Sequence, residues 1–269
     1  NMYKIAGERL PAVIHVSART LATHALSIFG DHGDVMACRA TGFAMLASSN
    51  PQEVMDLGAV AHLSAIHARL PFLHFFDGFR TSHEMQKIEV WDYDDLKNMT
   101  DMEAVELFRS KSLNPEHPQL RGSAMNPDIF FQTREAINPA YENLADVVQN
   151  YMDKVNAICG TDYKLFNYHG AEDADRVIVI MGSASDTAEE VVDYLNERGE
   201  KVGVLKVHLY RPFAADRFVG ALPDSVKHIA VMDRTKEPGA TGEPLYMDVI
   251  TALSEQGRAG VRVIGGRYG

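Results

Sequence analysis

The segment His15-Val16-Ser17-Ala18-Arg19 closes a short apolar run over residues 12–16 and sets polar side chains just past it. If the run is a buried strand, these groups stand at its carboxyl end, where ligands bind in open α/β sheets. An arginine there can clamp a carboxylate through two parallel hydrogen bonds, a geometry that lysine cannot supply. Spacing alone leaves two readings of Arg19 open, a ligand clamp or a structural ion pair.

Four other constellations carry polar chemistry. Gly30-Asp31-His32-Gly33-Asp34 invites a metal or diphosphate reading, but a thiamine-diphosphate motif would need Gly-Asp-Gly and a paired Asn about a helix later. His32 stands in the third place and no Asn pair follows, so a polar turn is expected. In Phe75-Phe76-Asp77-Gly78-Phe79-Arg80-Thr81-Ser82-His83-Glu84 a strand-end acid precedes a flexible glycine and then Arg, His and Glu. His83 and Glu84 could serve acid–base chemistry, or cap a following helix at a subunit seam. The eleven histidines form no H-E-x-x-H or Cys/His pattern, and His62 and His67, five apart, share no helical face, so they are expected to be structural. Gly182-Ser183-Ala184-Ser185 joins a strand to a helix N-terminus, which attracts anions, but it lacks the dinucleotide and P-loop patterns and reads as a capped turn.

The elements that must position these residues alternate between strand and helix. Asn50-Pro51-Gln52-Glu53 is a helix start, with Asn as N-cap, Pro at the first turn and Glu three residues after the cap. That helix extends to about Arg69, apolar almost all round, and Pro71 precedes a strand over 72–76. Residues 77–139 read as loop-rich, punctuated by Asn114-Pro115, His117-Pro118, Asn126-Pro127 and Asn138-Pro139, with one helix near 101–112. A helix over 140–159 stops at Gly160. Beyond Lys164 the pattern is compact βαβ: strands at 177–181, 201–207, 228–233 and 261–265, helices at 187–198 and 243–255, and an N-terminal box made by Asp186 and Glu189. Such alternation predicts a parallel sheet covered on both faces. The fold class is therefore α/β, with residues 1–163 and 164–269 expected as two domains.

The chain has 269 residues, an ordinary apolar fraction of 46% and a formal net charge of −11. The negative charge disfavours nucleic acid or an anionic membrane surface as partner. No run approaches the roughly 20 apolar residues of a membrane span. Two cysteines, Cys38 and Cys159, make no disulfide framework, which points to a reducing compartment, the cytoplasm. An iron–sulfur cluster ordinarily needs four thiolates.

Longer motifs go further than spacing. Phe29-Gly30-Asp31-His32-x-Asp34 and Arg39-x-Thr41-Gly42-Phe43-Ala44-Met45-Leu46 resemble the pyruvate:ferredoxin/flavodoxin oxidoreductases. So do the segment from His74 to Glu84, Asn114-Pro115-Glu116-His117-Pro118, Asn126-Pro127-Asp128-Ile129, Leu209-Tyr210-Arg211-Pro212-Phe213, the run from Asp233 to Gly239, and Gly266-Arg267-Tyr268-Gly269. The resemblance covers the entire chain in order. It implies a cytoplasmic, usually dimeric, thiamine-diphosphate enzyme that converts pyruvate and coenzyme A to acetyl-CoA and carbon dioxide. Its electrons would pass through [4Fe–4S] clusters to ferredoxin or flavodoxin. The two parts would be the latter portion of a pyrimidine-binding-type domain and much of a transketolase C-terminal-like domain, each an open parallel sheet in three layers.

In the resembled family the Arg of the His-Val-(Thr/Ser)-Ala-Arg segment holds the substrate carboxylate, and here that residue is Arg19. Ser17, Asp31, His32, Arg39, Thr41, Asp77, Arg80, His83 and Glu84 fall in the matching motifs and are candidates for a site or an interface. Ser17 replaces a common Thr, and Ala40 a common Gln, so no polar role is expected at position 40. The resemblance puts the thiamine-activating Glu before Asn1, and the diphosphate and magnesium domain and the cluster cysteines after Gly269. The chain alone is accordingly expected to bind none of these cofactors and to be inactive, with a scaffolding or dimerisation role, or action on another 2-oxoacid, as the alternatives.

Overall fold

A computed structural model describes residues 1–269. Nine strands build two sheets: β1 (Val13–Ala18), β2 (Ala44–Ser48), β3 (Phe72–Asp77), β4 (Phe166–Gly170), β5 (Arg176–Ile180), β6 (Val202–Val207), β7 (Leu209–Arg211), β8 (His228–Asp233) and β9 (Arg262–Arg267). The first sheet has the order β1-β3-β2-β7 and the second β4-β6-β5-β8-β9. Parallel pairing dominates both, and only β7 on β2 and β4 on β6 run antiparallel. The α/β class expected from the alternating pattern is what forms, although β4 keeps the second sheet from being purely parallel.

The helix Pro51–Ala68 starts as its sequence dictates. The Asn50 carboxamide oxygen accepts from the Glu53 amide at 3.0 Å, while the Glu53 carboxylate reaches back to the Ser49 amide at 2.7 Å, one residue short of the usual box partner. It packs on the helix Leu144–Cys159, which Gly160 ends in the left-handed conformation with φ +70°. The helix expected over 140–159 is split, since Asn138–Glu142 forms a separate turn before it. Residues 77–139 hold more structure than expected, with helices at Tyr93–Met99, Met102–Ser110 and Pro127–Glu135.

Three strands escape the pattern. β2 is wholly buried, yet Ala44-Met45-Leu46-Ala47 lacks the β-branched residues that mark a strand. β4 is a polar edge and β7 only three residues long. The Asp186–Glu189 box does not form. The helix begins at Ala184, so Asp186 already lies in its first turn and its carboxylate turns outward to Lys206 at 2.9 Å and Asn50 at 3.0 Å. Helical cover of the second sheet is also incomplete, leaving an apolar groove of about 660 Å³ lined by Ile178, Val191, Ala230 and Ile264.

One apolar core runs through both sheets, from Ala18 and Phe75 through Val148 to Val231 and Leu253. β7 carries the chain back from the second half to pair with β2 in the first sheet. No helix is long and apolar enough to cross a membrane.

Candidate functional site

β1 and β3 run side by side, so Ala18 pairs with Asp77 and both strands end at the same level. Arg19 continues the extended line of β1: it bridges Gly30, and its amide donates to the Asp34 carboxylate at 3.0 Å. Its side chain is exposed, and the guanidinium makes neither an ion pair nor a hydrogen bond within the chain. Ser17 lies two residues earlier, on the same face of the extended backbone. Its hydroxyl is buried and has no hydrogen-bond partner. An unpaired guanidinium at a strand's carboxyl end is free to meet a small anionic ligand. The internal ion pair that competed with this reading of Arg19 is not formed.

Next to Arg19 stands the most strongly held carboxylate of the chain. Asp77 is fully buried. Its Oδ1 faces His32 Nε2 at 2.7 Å. Its Oδ2 accepts from the Ser183 amide at 2.7 Å, the Ser183 hydroxyl at 2.5 Å and Arg234 Nη1 at 2.7 Å. Burial alone would raise its pKa, but His32, Ser183 and Arg234 together outweigh burial and hold it well below the usual carboxylate range. The N-terminus of the helix Ala184–Asn196 does meet an anion, and that anion is the protein's own Asp77. Gly182 is required there: its φ is +76°, and a β-carbon would stand 2.8 Å from Asp77 Oδ2.

A second charged knot joins the sheets. Buried Lys206 meets Glu53 at 3.2 Å, Asp186 at 2.9 Å and Glu189 at 3.1 Å. Burial would lower the pKa of Lys206, but Glu53, Asp186 and Glu189 outweigh it and hold the ammonium protonated above its ordinary range. Sequence spacing could not show this cluster, since Lys206 is 153 residues from Glu53.

The histidines are not isolated. His62 Nε2 faces His15 Nε2 at 3.0 Å, His15 Nδ1 faces His74 Nδ1 at 2.8 Å, and His74 Nε2 meets the Ser48 hydroxyl at 2.8 Å. Both nitrogens of His15 and of His74 and one of His62 are spent on neighbours in a line, and no three ligands converge on one point. Burial, followed by the charges His15 and His62 would carry, pushes His74 down to about 3. His62 is reached from another element, so its spacing from His67 was uninformative.

The other candidates divide clearly. His32 and Asp77 are brought together, as described. Arg39 crosses the seam to Glu237 at 2.8 Å and also donates to the Met36 carbonyl. Thr41 is spent locally on the Cys38 carbonyl at 2.7 Å. Arg80 and Glu84 are exposed. His83 packs on the Phe79 ring at 4.6 Å and bonds the Ser82 hydroxyl at 2.9 Å. It sits inside the short turn Thr81–His83, so it caps no helix. Arg234 and Ser183 were the residues that sequence reasoning missed. Arg234 lay inside a quoted motif, and only the third dimension puts it on Asp77.

A diphosphate–magnesium anchor does not fit the Gly30–Asp34 loop. Asp31 accepts from the Gly33 amide at 2.6 Å, and Asp34 accepts from Arg19 and from Val35 at 2.7 Å. His32 is committed to Asp77, and no group of three potential ligands converges on a metal position.

A family model described as pyruvate flavodoxin/ferredoxin oxidoreductase, thiamine diphosphate-binding, matches residues 1–153, and the pyruvate:ferredoxin oxidoreductase core domain II matches residues 174–269. The pyruvate:ferredoxin oxidoreductase of Moorella thermoacetica is 61% identical over 269 residues, and the pyruvate-flavodoxin oxidoreductase of Enterobacter agglomerans 60% over 268. Each alignment takes in 100% of this chain, which spans 23% of the length of either relative. Among solved structures, a 2-oxoglutarate:ferredoxin oxidoreductase from Magnetococcus marinus superposes with a TM-score of 0.62 at 15% identity, covering 100% of this chain and 48% of its own. That likeness bears on the fold alone. With the first family model spanning more than half of the residues, the chain belongs to the pyruvate flavodoxin/ferredoxin oxidoreductase family.

Proposed function

We propose that this chain supplies the substrate-carboxylate corner of a pyruvate:ferredoxin or pyruvate:flavodoxin oxidoreductase, with Arg19 as the residue that grips the carboxylate. The observation that carries the reading is the exposed Arg19 guanidinium, left without an internal partner at the carboxyl end of β1. Two parallel N–H donors would fix both carboxylate oxygens. Orientation is the contribution: the carboxylate is presented for loss while the keto carbon is turned towards the reacting partner. Too tight a grip would stabilise the ground state and oppose decarboxylation.

The complete enzyme, in this reading, is a cytoplasmic homodimer. It converts pyruvate and coenzyme A to acetyl-CoA and carbon dioxide and passes electrons to ferredoxin or flavodoxin. Thiamine diphosphate is supported by the description of the matching family model, whereas magnesium and [4Fe–4S] clusters follow from the family reading only. Residues 1–163 and 164–269 are taken as two domains, a division supported by the separate spans of the two family models. The chain alone is read as inactive.

The test is Arg19→Ala in the complete enzyme. Losing a charge-assisted pair is worth about 3 kcal/mol, roughly 150-fold in kcat/KM for pyruvate. Viologen reduction driven by pyruvate is the assay. A variant that assembles normally and keeps the wild-type KM would remove the proposal. It would leave the assembly role. Profiling pyruvate against longer 2-oxoacids decides the substrate.

A further inference from the structure

Arg19 is not held by its own strand alone. Gly78, the residue after Asp77, donates its amide to the Ala18 carbonyl at 2.8 Å, and a β-carbon on it would come within 2.6 Å of Arg19 Cγ. The stem of Arg19 therefore lies directly on the Gly78 backbone. On its other side Arg19 bridges Gly30. A β-carbon at Gly30 would stand 2.8 Å from the Gly78 carbonyl and 3.2 Å from Arg234 Nη2. Arg234 closes the loop twice over: its Nη1 holds Asp77 at 2.7 Å, and its carbonyl accepts from the His32 amide at 2.8 Å. Arg19, Gly30, Arg234, Asp77 and Gly78 thus form a closed ring of contacts. Two of its links cross between the sheets, Gly30 to Arg234 and Arg234 to Asp77, because Arg234 directly follows β8; Ser183, just before the helix that follows β5, adds a further tie to Asp77.

We propose that Asp77 is a positioning residue for Arg19, and that the second sheet, through Arg234 and Ser183, thereby sets where the substrate carboxylate is gripped. The inference rests on the carboxylate-binding reading of Arg19. Asp77 touches no reacting atom in this scheme. It fixes Gly78, against which the Arg19 stem is laid, and it does so only while its Oδ2 is held from the other sheet. Glycine at both 30 and 78 is what lets three backbones and two arginines approach this closely. A carboxylate that accepts four hydrogen bonds with no exposure has nowhere to shift, so the corner is rigid rather than adaptable.

The experiment is a double-mutant cycle in the complete enzyme, with Asp77→Asn and Arg19→Ala made singly and together and pyruvate KM and kcat measured for each. Asparagine keeps the shape but turns a donor towards the Ser183 and Arg234 donors. Asp77→Asn is expected to raise the pyruvate KM by roughly 10- to 100-fold, the scale of an ångström of misplacement. The coenzyme A KM should stay unchanged. In the Arg19→Ala background the same substitution should leave the pyruvate KM where Arg19→Ala put it. An equal effect in both backgrounds, or no effect beside a large one from Arg19→Ala, overturns the positioning role and leaves the carboxylate reading standing. A silent Arg19→Ala overturns that reading, and the inference with it. If Asp77→Asn does not accumulate as folded enzyme, Ser183→Ala decides, since it removes one of the four hydrogen bonds and no charge. A smaller KM rise that disappears without Arg19 supports the ring, and an unchanged KM overturns it.

Discussion

Replacing Lys206 by methionine keeps most of the side chain's volume and removes the one cation at the centre of the second charged knot. The Lys206 and Glu53 side chains are 9% and 7% exposed, so water cannot take over the role of the ammonium. Breaking a buried pair by deleting one partner costs about 3–5 kcal/mol, because the surviving charge stays buried. Asp186 and Glu189 are 40% and 31% exposed and add little to that figure. Unfolding entropy of about 2.1 cal/mol/K per residue gives roughly 0.6 kcal/mol/K for 269 residues. A loss of about 4 kcal/mol therefore lowers Tm by about 7 °C. Acid should narrow the gap. Burial would raise the pKa of Asp186, but Lys206, Asn50 and Ser49 outweigh it and depress it in the folded state, so that group's contribution is present above its unfolded value and lost as pH falls through the folded one. Calorimetry of Lys206→Met beside the wild type at pH 7 and at about pH 2.5, below the ordinary aspartate value, measures both effects. Adding Glu53→Gln to the variant should recover most of the loss at neutral pH. A shift under about 2 °C at pH 7, or a gap that widens in acid, would refute the reasoning.

Three further outcomes are expected. His74 has its folded pKa pushed down to about 3, so the unfolded chain binds the extra proton between there and the ordinary histidine value. The associated stability is complete above about pH 6.5 and lost on acidification; His74→Gln should flatten that part of the Tm profile, and an unchanged slope between pH 6.5 and 4 would count against it. Gly182→Ala and Gly199→Ala both place a β-carbon at positive φ, but the first meets Asp77 at 2.8 Å and the second meets nothing within 4 Å. Urea denaturation should give about 1–2 kcal/mol for Gly199→Ala and at least twice that for Gly182→Ala, and equal costs would contradict the close approach. The Cys159 thiol is pushed up to about 11 by burial and then by Asp56 and Asp95, so alkylation at pH 8 should be much slower than for a free thiol and should quicken on unfolding.

Local chemistry determined a good deal without any coordinates. Asn50 and Pro51 start a helix wherever they stand before an apolar run, because one side-chain oxygen and one missing amide settle the orphan donors there. Gly160 and Gly199 end helices because they accept positive φ without strain. The continuous apolar strands β5, β6 and β8 announced a parallel sheet, and the order of motifs carried the family. Interactions that close over a long sequence distance left no trace of that kind. Ala44–Ser48 is a strand because it is enclosed between β3 and β7, not because its residues favour one. Asp186 looked like a cap and became a ligand of Lys206, since a buried ammonium outcompetes a backbone amide for a carboxylate. Arg19 was legible as a residue able to bind a carboxylate, but whether its guanidinium would be consumed internally depended on which acids the fold brought near. Asp77, the acid beside it, was claimed instead by His32, Ser183 and Arg234, from places 45, 106 and 157 residues away, and that left Arg19 free.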